Sequence, residues 1–257
     1  MNRKCGVLFD LDGVFYVSNQ AIDGGQKLID SLRNKSIPFR FLTNTTTKTR
    51  KDICEKLGDI GLQVKENEIF SAAYIGINYL RSIGSPPCYL LIHKEIYSDY
   101  SEFDSHNRRP EFVVVGDRGH NWNYDDLNKG FRYLMEGAGL IALHKGRYFQ
   151  TSDGLEIDIG AFVAGFEYSS GKTAVSLGKP NPLFFQTVLK DISMKSEEVI
   201  MVGDDLINDI GGAQKIGIEG VLVRTGKFRE SDLLHPEIKP DYIIESINEF
   251  EDLLSLS

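Results

Sequence analysis

The sequence of 257 residues contains few cysteines, and their spacing argues against a disulfide framework and against a structural zinc site. There are three, Cys5, Cys54 and Cys88, and they are far apart and never form a CxxC pair. A disulfide framework needs an even set of cysteines, and a structural zinc site needs closely spaced Cys or His ligands. We therefore expect reduced thiols and a cytoplasmic protein.

The sequence also lacks a long hydrophobic run and an excess of positive charge. No apolar segment approaches the ~20 residues that span a membrane, and the short apolar run after Lys4 does not resemble a signal peptide. The chain has 29 Lys and Arg against 37 Asp and Glu, a net charge of −8. This charge gives no general attraction to nucleic acid or to an anionic membrane, so neither is expected as a partner.

What is present is an alternation of short apolar runs with amphipathic stretches, and 41% of the residues are hydrophobic. The alternation predicts the α/β fold class, with a Rossmann-like, doubly wound parallel sheet that carries helices on both faces. The predicted strands are residues 6–9, 39–42, 199–202, 220–223 and 242–244, and the predicted helices are residues 26–35, 49–57, 71–81, 182–192 and 209–216.

The middle of the chain departs from this series after the break at Ser85-Pro86-Pro87. Further strands are predicted at residues 89–92, 112–115 and 140–143, with a helix at 124–135 between the last two. This pattern predicts an inserted, smaller α/β domain. We expect residues 1–74 and 178–257 to form a catalytic core and residues 75–177 to form the insert.

Polar residues follow several of the predicted core strands at the point where each strand ends. Asp10 and Asp12 follow the first strand, Thr43-Asn44 follows the second, and Asp204 lies in Gly203-Asp204-Asp205 after the strand at 199–202. Ligands of open parallel sheets bind beyond the carboxyl ends of the strands. We therefore expect these side chains to converge on one site.

Three carboxylates at such a site would repel one another unless a divalent cation lay among them. Mg²⁺ prefers a few carboxylate oxygens, waters and a phosphate, and it would screen an anionic nucleophile from an anionic phosphate. Asp10 would then attack phosphorus and form an aspartyl phosphate. Lys179, in Gly178-Lys179-Pro180, would steady the charge of the transferring group, and the uncharged Thr43 and Asn44 would donate to phosphoryl oxygens.

Each of these residues also has an ordinary structural interpretation. An Asp after a strand is commonly a turn former or a helix cap, Asp209 would serve as a cap for its helix, and Lys179 would be a solvated loop lysine. The four motifs in this order, at strand ends and helix starts, favour one shared site instead. Two alternatives to hydrolysis stay open: a non-catalytic binding or regulatory module on the same fold, and a phosphotransferase.

The order DxDG, strand-Thr-Asn, Lys-Pro and GDDxxxD resembles the haloacid dehalogenase-like superfamily of hydrolases. The large insert between the second and third motifs resembles that of its subfamily IIA, which has a C2-type α/β cap. The resemblance covers essentially the whole chain. It implies a Mg²⁺-dependent phosphatase that hydrolyses small phosphorylated metabolites through an aspartyl-phosphate intermediate, and it suggests a homodimer.

The resemblance also implies a role for each matching residue. Asp10 corresponds to the nucleophile and Asp12 to the general acid/base. The metal-binding positions correspond to Asp10, Asp12 through its backbone carbonyl, Asp204 and, in support, Asp209, and the phosphate-binding positions correspond to Thr43, Asn44 and Lys179.

The substrate would be selected by the cap, which closes over the leaving group. The segment from His144 to Tyr148 has cationic and aromatic residues, and we expect it to line the entrance and favour small anionic or aromatic phosphates. A solvated cap strand is the alternative interpretation of the same residues.

Overall fold

The computed structural model describes residues 6–106, 108–151 and 154–256. Its strands are β1 (Gly6–Asp10), β2 (Tyr16–Val17), β3 (Gln20–Ala21), β4 (Phe39–Thr43), β5 (Ile69–Ser71), β6 (Cys88–Leu91), β7 (Phe112–Val115), β8 (Gly139–Ala142), β9 (Tyr148–Thr151), β10 (Gly154–Ile157), β11 (Val175–Ser176), β12 (Val199–Gly203), β13 (Glu219–Val223) and β14 (Tyr242–Ile244). Its α-helices are α1 (Gly25–Asn34), α2 (Arg50–Asp59), α3 (Ala72–Ser82), α4 (Tyr97–Tyr100), α5 (Tyr124–Met135), α6 (Ile159–Ser170), α7 (Pro182–Ile192), α8 (Gly212–Gln214) and α9 (Phe250–Leu256). In the part of the chain that is described, no helix is both long and apolar enough to cross a bilayer.

The larger sheet has the strand order β14-β13-β12-β1-β4-β5. Neighbouring strands from β14 to β4 run parallel, which confirms the predicted α/β class. The chain proceeds from β1 to β4 on one side and reaches β12 on the other, so the strand order reverses at β1. Such a reversal opens a crevice at the carboxyl end of the sheet, and Asp10 is the last residue of β1.

Both faces of this sheet are covered by other elements. Successive side chains of a strand point to opposite faces, and Leu8 and Phe9 are both fully buried. Phe9 belongs to an aromatic cluster, with its ring edge-to-face against Phe15 at 5.2 Å and Phe250 at 5.5 Å. Each such pair adds about 0.5–1.5 kcal/mol to the effect of burial. The doubly wound arrangement therefore follows from strands that are apolar on both sides.

The chain divides into two compact units. One contains the residues up to Thr43, Arg50–Phe70 and the residues from Lys179 onward, and the other contains Asn44–Thr49 and Ser71–Gly178. The second unit has its own parallel sheet in the order β11-β8-β7-β6. It also has its own core, in which apolar residues of these strands pack with Leu134 of α5 and Val163 of α6.

The prediction of an α-helix over residues 209–216 is wrong for its first residues, which belong to a π-helical turn. A π-helical turn over Leu206–Gly211 precedes the short helix α8. The Asp205 carboxylate caps this turn by accepting hydrogen bonds from the N–H groups of Ile207 and Asn208 at 3.1 and 2.9 Å. Asp209 therefore does not cap a helix.

The hairpin β9–β10 and helix α6 were not predicted. Helix α6 contains a single charged residue, Glu167, and its apolar residues occur nearly all around the axis. A helix of this kind has no polar stripe and so lacks the 3.6-residue periodicity on which a helix prediction depends.

Candidate active site

Three buried carboxylates meet at the carboxyl end of the larger sheet. Asp10 ends β1, Asp204 follows β12, and Asp209 lies in the π-helical turn. One oxygen from each lies within 4.8 Å of the others. Their exposed fractions are 6%, 1% and 1%, so water screens their mutual repulsion poorly.

Lys179 provides a buried cation to two of these carboxylates. Its Nζ lies 2.6 Å from Oδ1 of Asp10 and 2.7 Å from Oδ1 of Asp209, and it also donates to the carbonyl of Leu42 at 3.4 Å. Burial alone would lower the pKa of Lys179, but Asp10 and Asp209 raise it above its ordinary value. The side chain is therefore a fixed positive charge, which excludes the solvated loop lysine of the alternative interpretation.

The surroundings of Asp204 and Asp209 disfavour the ionised form of both carboxyl groups. Burial, followed by the charges of Asp10 and Asp209, raises the pKa of Asp204 well above its ordinary value. Burial also raises the pKa of Asp209 to about 7, although Lys179 opposes the shift. Such shifts show that burial and the neighbouring carboxylates make negative charge costly at this site.

One oxygen of Asp204 has no hydrogen-bond partner among the described residues. This atom, Oδ1, is buried, and buried polar atoms are nearly always paired with protein, water or an ion. An unpaired carboxylate oxygen beside two further buried carboxylates is a set of hard donors that suits Mg²⁺. The residues present therefore fit a divalent cation.

Asp12 lies in a different environment from the other acids. The residue as a whole is exposed. Desolvation of its carboxyl group, followed by the charge of Asp10, raises its pKa, while Lys227 and Lys56 oppose the shift. A raised pKa favours the protonated form of the carboxyl group, which a general acid needs.

Thr43 and Asn44 stand at the end of β4. Thr43 is buried and lies one residue beyond Leu42, the partner of Asp10 in the sheet register. Asn44 is half-buried and begins the second compact unit. The structure thus brings Asp10, Lys179 and the other carboxylates together in the first unit and places Thr43 on the strand beside them.

In the second unit, the segment from His144 to Tyr148 contains both buried and exposed side chains. His144 is buried, its Nδ1 accepts a hydrogen bond from Gly146, and its Nε2 lies 3.6 Å from Oδ1 of Asp158. Lys145 forms an ion pair with Glu167 at 2.8 Å. Lys145 is thus held by an acid of its own unit, and His144 lies near another.

A loop that sequence reasoning missed also contacts the site. The backbone N–H of Lys227 donates to Oδ2 of Asp204 at 2.6 Å, and the hydroxyl of Thr225 donates to the carbonyl of Gly13. This loop follows the carboxyl end of β13, so the strand-end pattern that indicates Asp10 and Asp204 applies to it as well. The residues directly after β13 are Arg224 and Thr225, and this pair is a weaker signal than a pair of aspartates.

Two family models match this chain. A haloacid dehalogenase-like hydrolase model matches residues 7–106, and a HAD-hydrolase-like model matches residues 176–250. The two matches contain the DxDG and GDDxxxD motifs, respectively, and both include parts of the larger sheet.

Curated proteins and solved structures resemble the chain over nearly its full length. The human phospholysine phosphohistidine inorganic pyrophosphate phosphatase is 38% identical over 97% of this chain and 93% of its own. Haloacid dehalogenase-like hydrolase domain-containing protein 2 of Rattus norvegicus is 38% identical over 88% of this chain and 86% of its own. The crystal structure of a 4-nitrophenylphosphatase from Thermotoga maritima superposes with a TM-score of 0.89 at 28% identity, covering 96% of each chain. NagD from E. coli K-12 has a TM-score of 0.87 at 27% identity, covering 95% of this chain and 97% of that one.

Proposed function

The chain belongs to the haloacid dehalogenase-like hydrolase family and is a phosphatase, and we propose that it hydrolyses small phosphorylated metabolites with Asp10 as the nucleophile and Mg²⁺ as the metal cofactor. The observation that carries this proposal is the buried cluster of Asp10, Asp204 and Asp209 with Lys179 inserted between two of its members. A cluster of this charge is costly to bury unless a further cation offsets it.

The side chains of Asp10, Asp204 and Asp209 and the backbone carbonyl of Asp12 would hold the metal. When bound, Mg²⁺ would offset the negative charge of the carboxylates and of the substrate phosphate.

The chain's own residues would carry out the transfer in two steps. In the first, a carboxylate oxygen of Asp10 forms a bond to phosphorus, the bond from phosphorus to the leaving group breaks, and Asp12 gives its proton to the leaving group. In the second, Asp12 takes a proton from a water molecule that attacks the same phosphorus, which releases phosphate and restores Asp10. Lys179, already in contact with Asp10, would stabilise the charge of the transferring group together with Thr43 and Asn44.

We propose that residues 75–177 act as a cap and select the substrate, with residues 1–74 and 178–257 as the catalytic core. Phosphomonoesters, phosphoramidates and pyrophosphate are the substrate classes to compare, since the names of the curated relatives include P–N and anhydride substrates. The free thiols of Cys54 and Cys88 support a cytoplasmic location, and the family resemblance supports a homodimer.

The two alternatives are not favoured. A non-catalytic module would need neither a buried lysine between carboxylates nor an acid with a raised pKa at Asp12. A phosphotransferase would differ only in its acceptor, and the curated relatives are named as phosphatases.

The test is turnover of p-nitrophenyl phosphate with and without Mg²⁺ by the wild-type protein and by Asp10→Asn. We expect Mg²⁺-dependent turnover by the wild type and none above background by the variant, since an amide cannot replace the carboxylate as nucleophile. Asp59→Asn makes the same chemical change at an exposed residue of α2 and serves as the matched control. Equal rates for Asp10→Asn and the wild type would refute the proposal.

A further inference from the structure

The two oxygens of the Asp204 carboxylate have unequal surroundings. Oδ2 accepts a hydrogen bond from the backbone N–H of Lys227 at 2.6 Å. Oδ1 is buried and has no hydrogen-bond partner in the described part of the chain. One oxygen is thus fixed by the protein, and the other is left with its full capacity to bind a ligand.

Two glycines from separate segments enclose the same carboxylate. A Cβ atom on Gly13, in the loop after β1, or on Gly226, in the loop after β13, would overlap with Oδ2 of Asp204. Both glycines also have positive φ angles, 86° and 64°. The carboxylate therefore lies in a space that only glycine leaves open at these positions.

Thr225 joins these two segments. Its hydroxyl donates a hydrogen bond to the carbonyl of Gly13. The loop after β13 is in this way tied to the loop that contains the DxDG motif, and the carboxylate of Asp204 is held between them.

We propose that Thr225, Gly226 and the backbone N–H of Lys227 form a positioning segment that fixes Oδ2 of Asp204 and thereby presents Oδ1 to the divalent cation. The inference rests on the proposed function, because it requires that the acidic cluster bind a metal. Groups that orient a ligand from behind in this way commonly change metal affinity by about 10- to 100-fold.

The side chain of Lys227 should weaken the binding of a metal ion at this site, whereas its backbone N–H should strengthen it. Its ammonium group lies 3.8 Å from Oδ2 of Asp205, and the side chain is 63% exposed. The charges of Asp10 and Asp204 also act on this ammonium group. A cation in the field of the metal ligands opposes the binding of a second cation.

The test is isothermal titration calorimetry of metal-free protein with Mg²⁺, together with the melting temperature of each metal-free variant. We expect Gly226→Ala and Thr225→Val to bind Mg²⁺ about 10- to 100-fold more weakly than the wild type. Thr225→Ser retains the hydroxyl and should restore the affinity. Lys227→Met keeps the backbone N–H but loses the ammonium, so it should bind Mg²⁺ several-fold more tightly.

Gly61→Ala is the matched control for backbone strain. Gly61 also has a φ angle of 86°, but no atom lies within 4 Å of its added Cβ. A purely structural role for Gly226 would lower the melting temperature of both alanine variants and leave Mg²⁺ affinity at the wild-type value. The positioning role requires weaker Mg²⁺ binding in Gly226→Ala and wild-type binding in Gly61→Ala.

Wild-type Mg²⁺ affinity in folded Gly226→Ala and Thr225→Val would overturn the inference and leave the proposed function standing if the wild type still needs Mg²⁺ for turnover. If Gly226→Ala does not fold, the Thr225→Val and Thr225→Ser pair decides the matter, since the first change is nearly isosteric and the second removes only a methyl group. A wild-type protein that neither binds Mg²⁺ nor needs it for turnover would refute the metal site and the inference together.

Discussion

At the scale of single residues, Asp10 and Asp12 are separated by one position yet lie in different environments. Asp10 is buried and paired with Lys179 at 2.6 Å, whereas Asp12 is exposed and has a raised pKa. An ammonium group beside the carboxylate suits a nucleophile that must approach an anionic phosphate, and a raised pKa suits a general acid. The pattern DxDG indicates both acids, but only their surroundings distinguish the two roles.

For Asp12→Asn we predict a defect that depends on the leaving group. p-Nitrophenolate leaves without a proton, so the first turnover should release it in a rapid burst, and the slow step should be the attack of water. Steady-state turnover should fall by about 10²- to 10⁴-fold, the usual range for loss of a general acid or base. Stopped-flow absorbance measures both phases. A variant that shows no burst and no slower steady state would contradict the assigned role.

For Lys179→Met we predict a large loss of stability in the absence of metal. The substitution leaves Asp10 and Asp209 buried without their cation, a situation that typically costs about 3–5 kcal/mol. Saturating Mg²⁺ should recover part of this loss, because it supplies positive charge to the same carboxylates. Urea denaturation with and without Mg²⁺ measures both effects.

The control for this prediction is Lys51→Met, which breaks an ion pair with Glu55 on the exposed surface of α2. Solvent screens this pair, so the change should be small and independent of Mg²⁺. A Lys179 variant that behaves like the Lys51 variant would show that the buried contacts contribute little.

At the scale of elements, strand ends were predictable and the turn after β12 was not. Strands β1 and β12 are apolar runs, and β4 is one interrupted by Arg40. A polar residue ends β1 and β4 and follows β12 directly, so the location and the convergence of these strands follow from the sequence. The π-helical turn over Leu206–Gly211 depends instead on the hydrogen bonds that Asp205 and Asp209 form. Asp205 caps the turn, and Asp209 points inward to Lys179, a division that two similar aspartates do not reveal in sequence.

For Asp205→Ala we predict a loss of about 0.5–2 kcal/mol, the usual effect of removing a side chain that caps a helical turn. The side chain of Asp205 also accepts a hydrogen bond from the side-chain amide of Asn208 at 2.7 Å. This hydrogen bond is lost in the same variant. Asp205→Asn keeps an oxygen acceptor for the N–H groups of Ile207 and Asn208, so its stability should lie closer to that of the wild type. Equal losses in the two variants, measured by urea denaturation, would argue against the capping role.

At the scale of the whole molecule, the parallel sheets were predictable from the sequence, whereas helix α6 and the hairpin β9–β10 were not. Alternating apolar runs and amphipathic helices are repeated often enough to indicate a parallel sheet. Helix α6 escaped prediction because it is apolar nearly all around, and the hairpin β9–β10 because its short strands expose Leu155 and Ile157 rather than bury them. Elements of the second unit that depart from simple burial patterns are the ones that sequence periodicity cannot locate.

The contribution of Lys227 to the site illustrates the same limit at long range. Its backbone N–H donates a hydrogen bond to Asp204, which lies 23 residues earlier in the chain. A contact made by the backbone cannot be predicted from the type of side chain at that position. The larger sheet creates the contact by placing β13 next to β12.

The most direct test of the account is chemical trapping of the phosphorylated residue. Asp12→Asn protein, which should accumulate the intermediate, is mixed with p-nitrophenyl phosphate and Mg²⁺, quenched in acid and reduced with borohydride, which converts an acyl phosphate of aspartate to homoserine. Peptide mass spectrometry then locates the change. We predict homoserine at position 10 and nowhere else, and its absence in the double variant with Asp10→Asn. Turnover that proceeds with unmodified Asp10, or with the modification at another residue, would contradict the account.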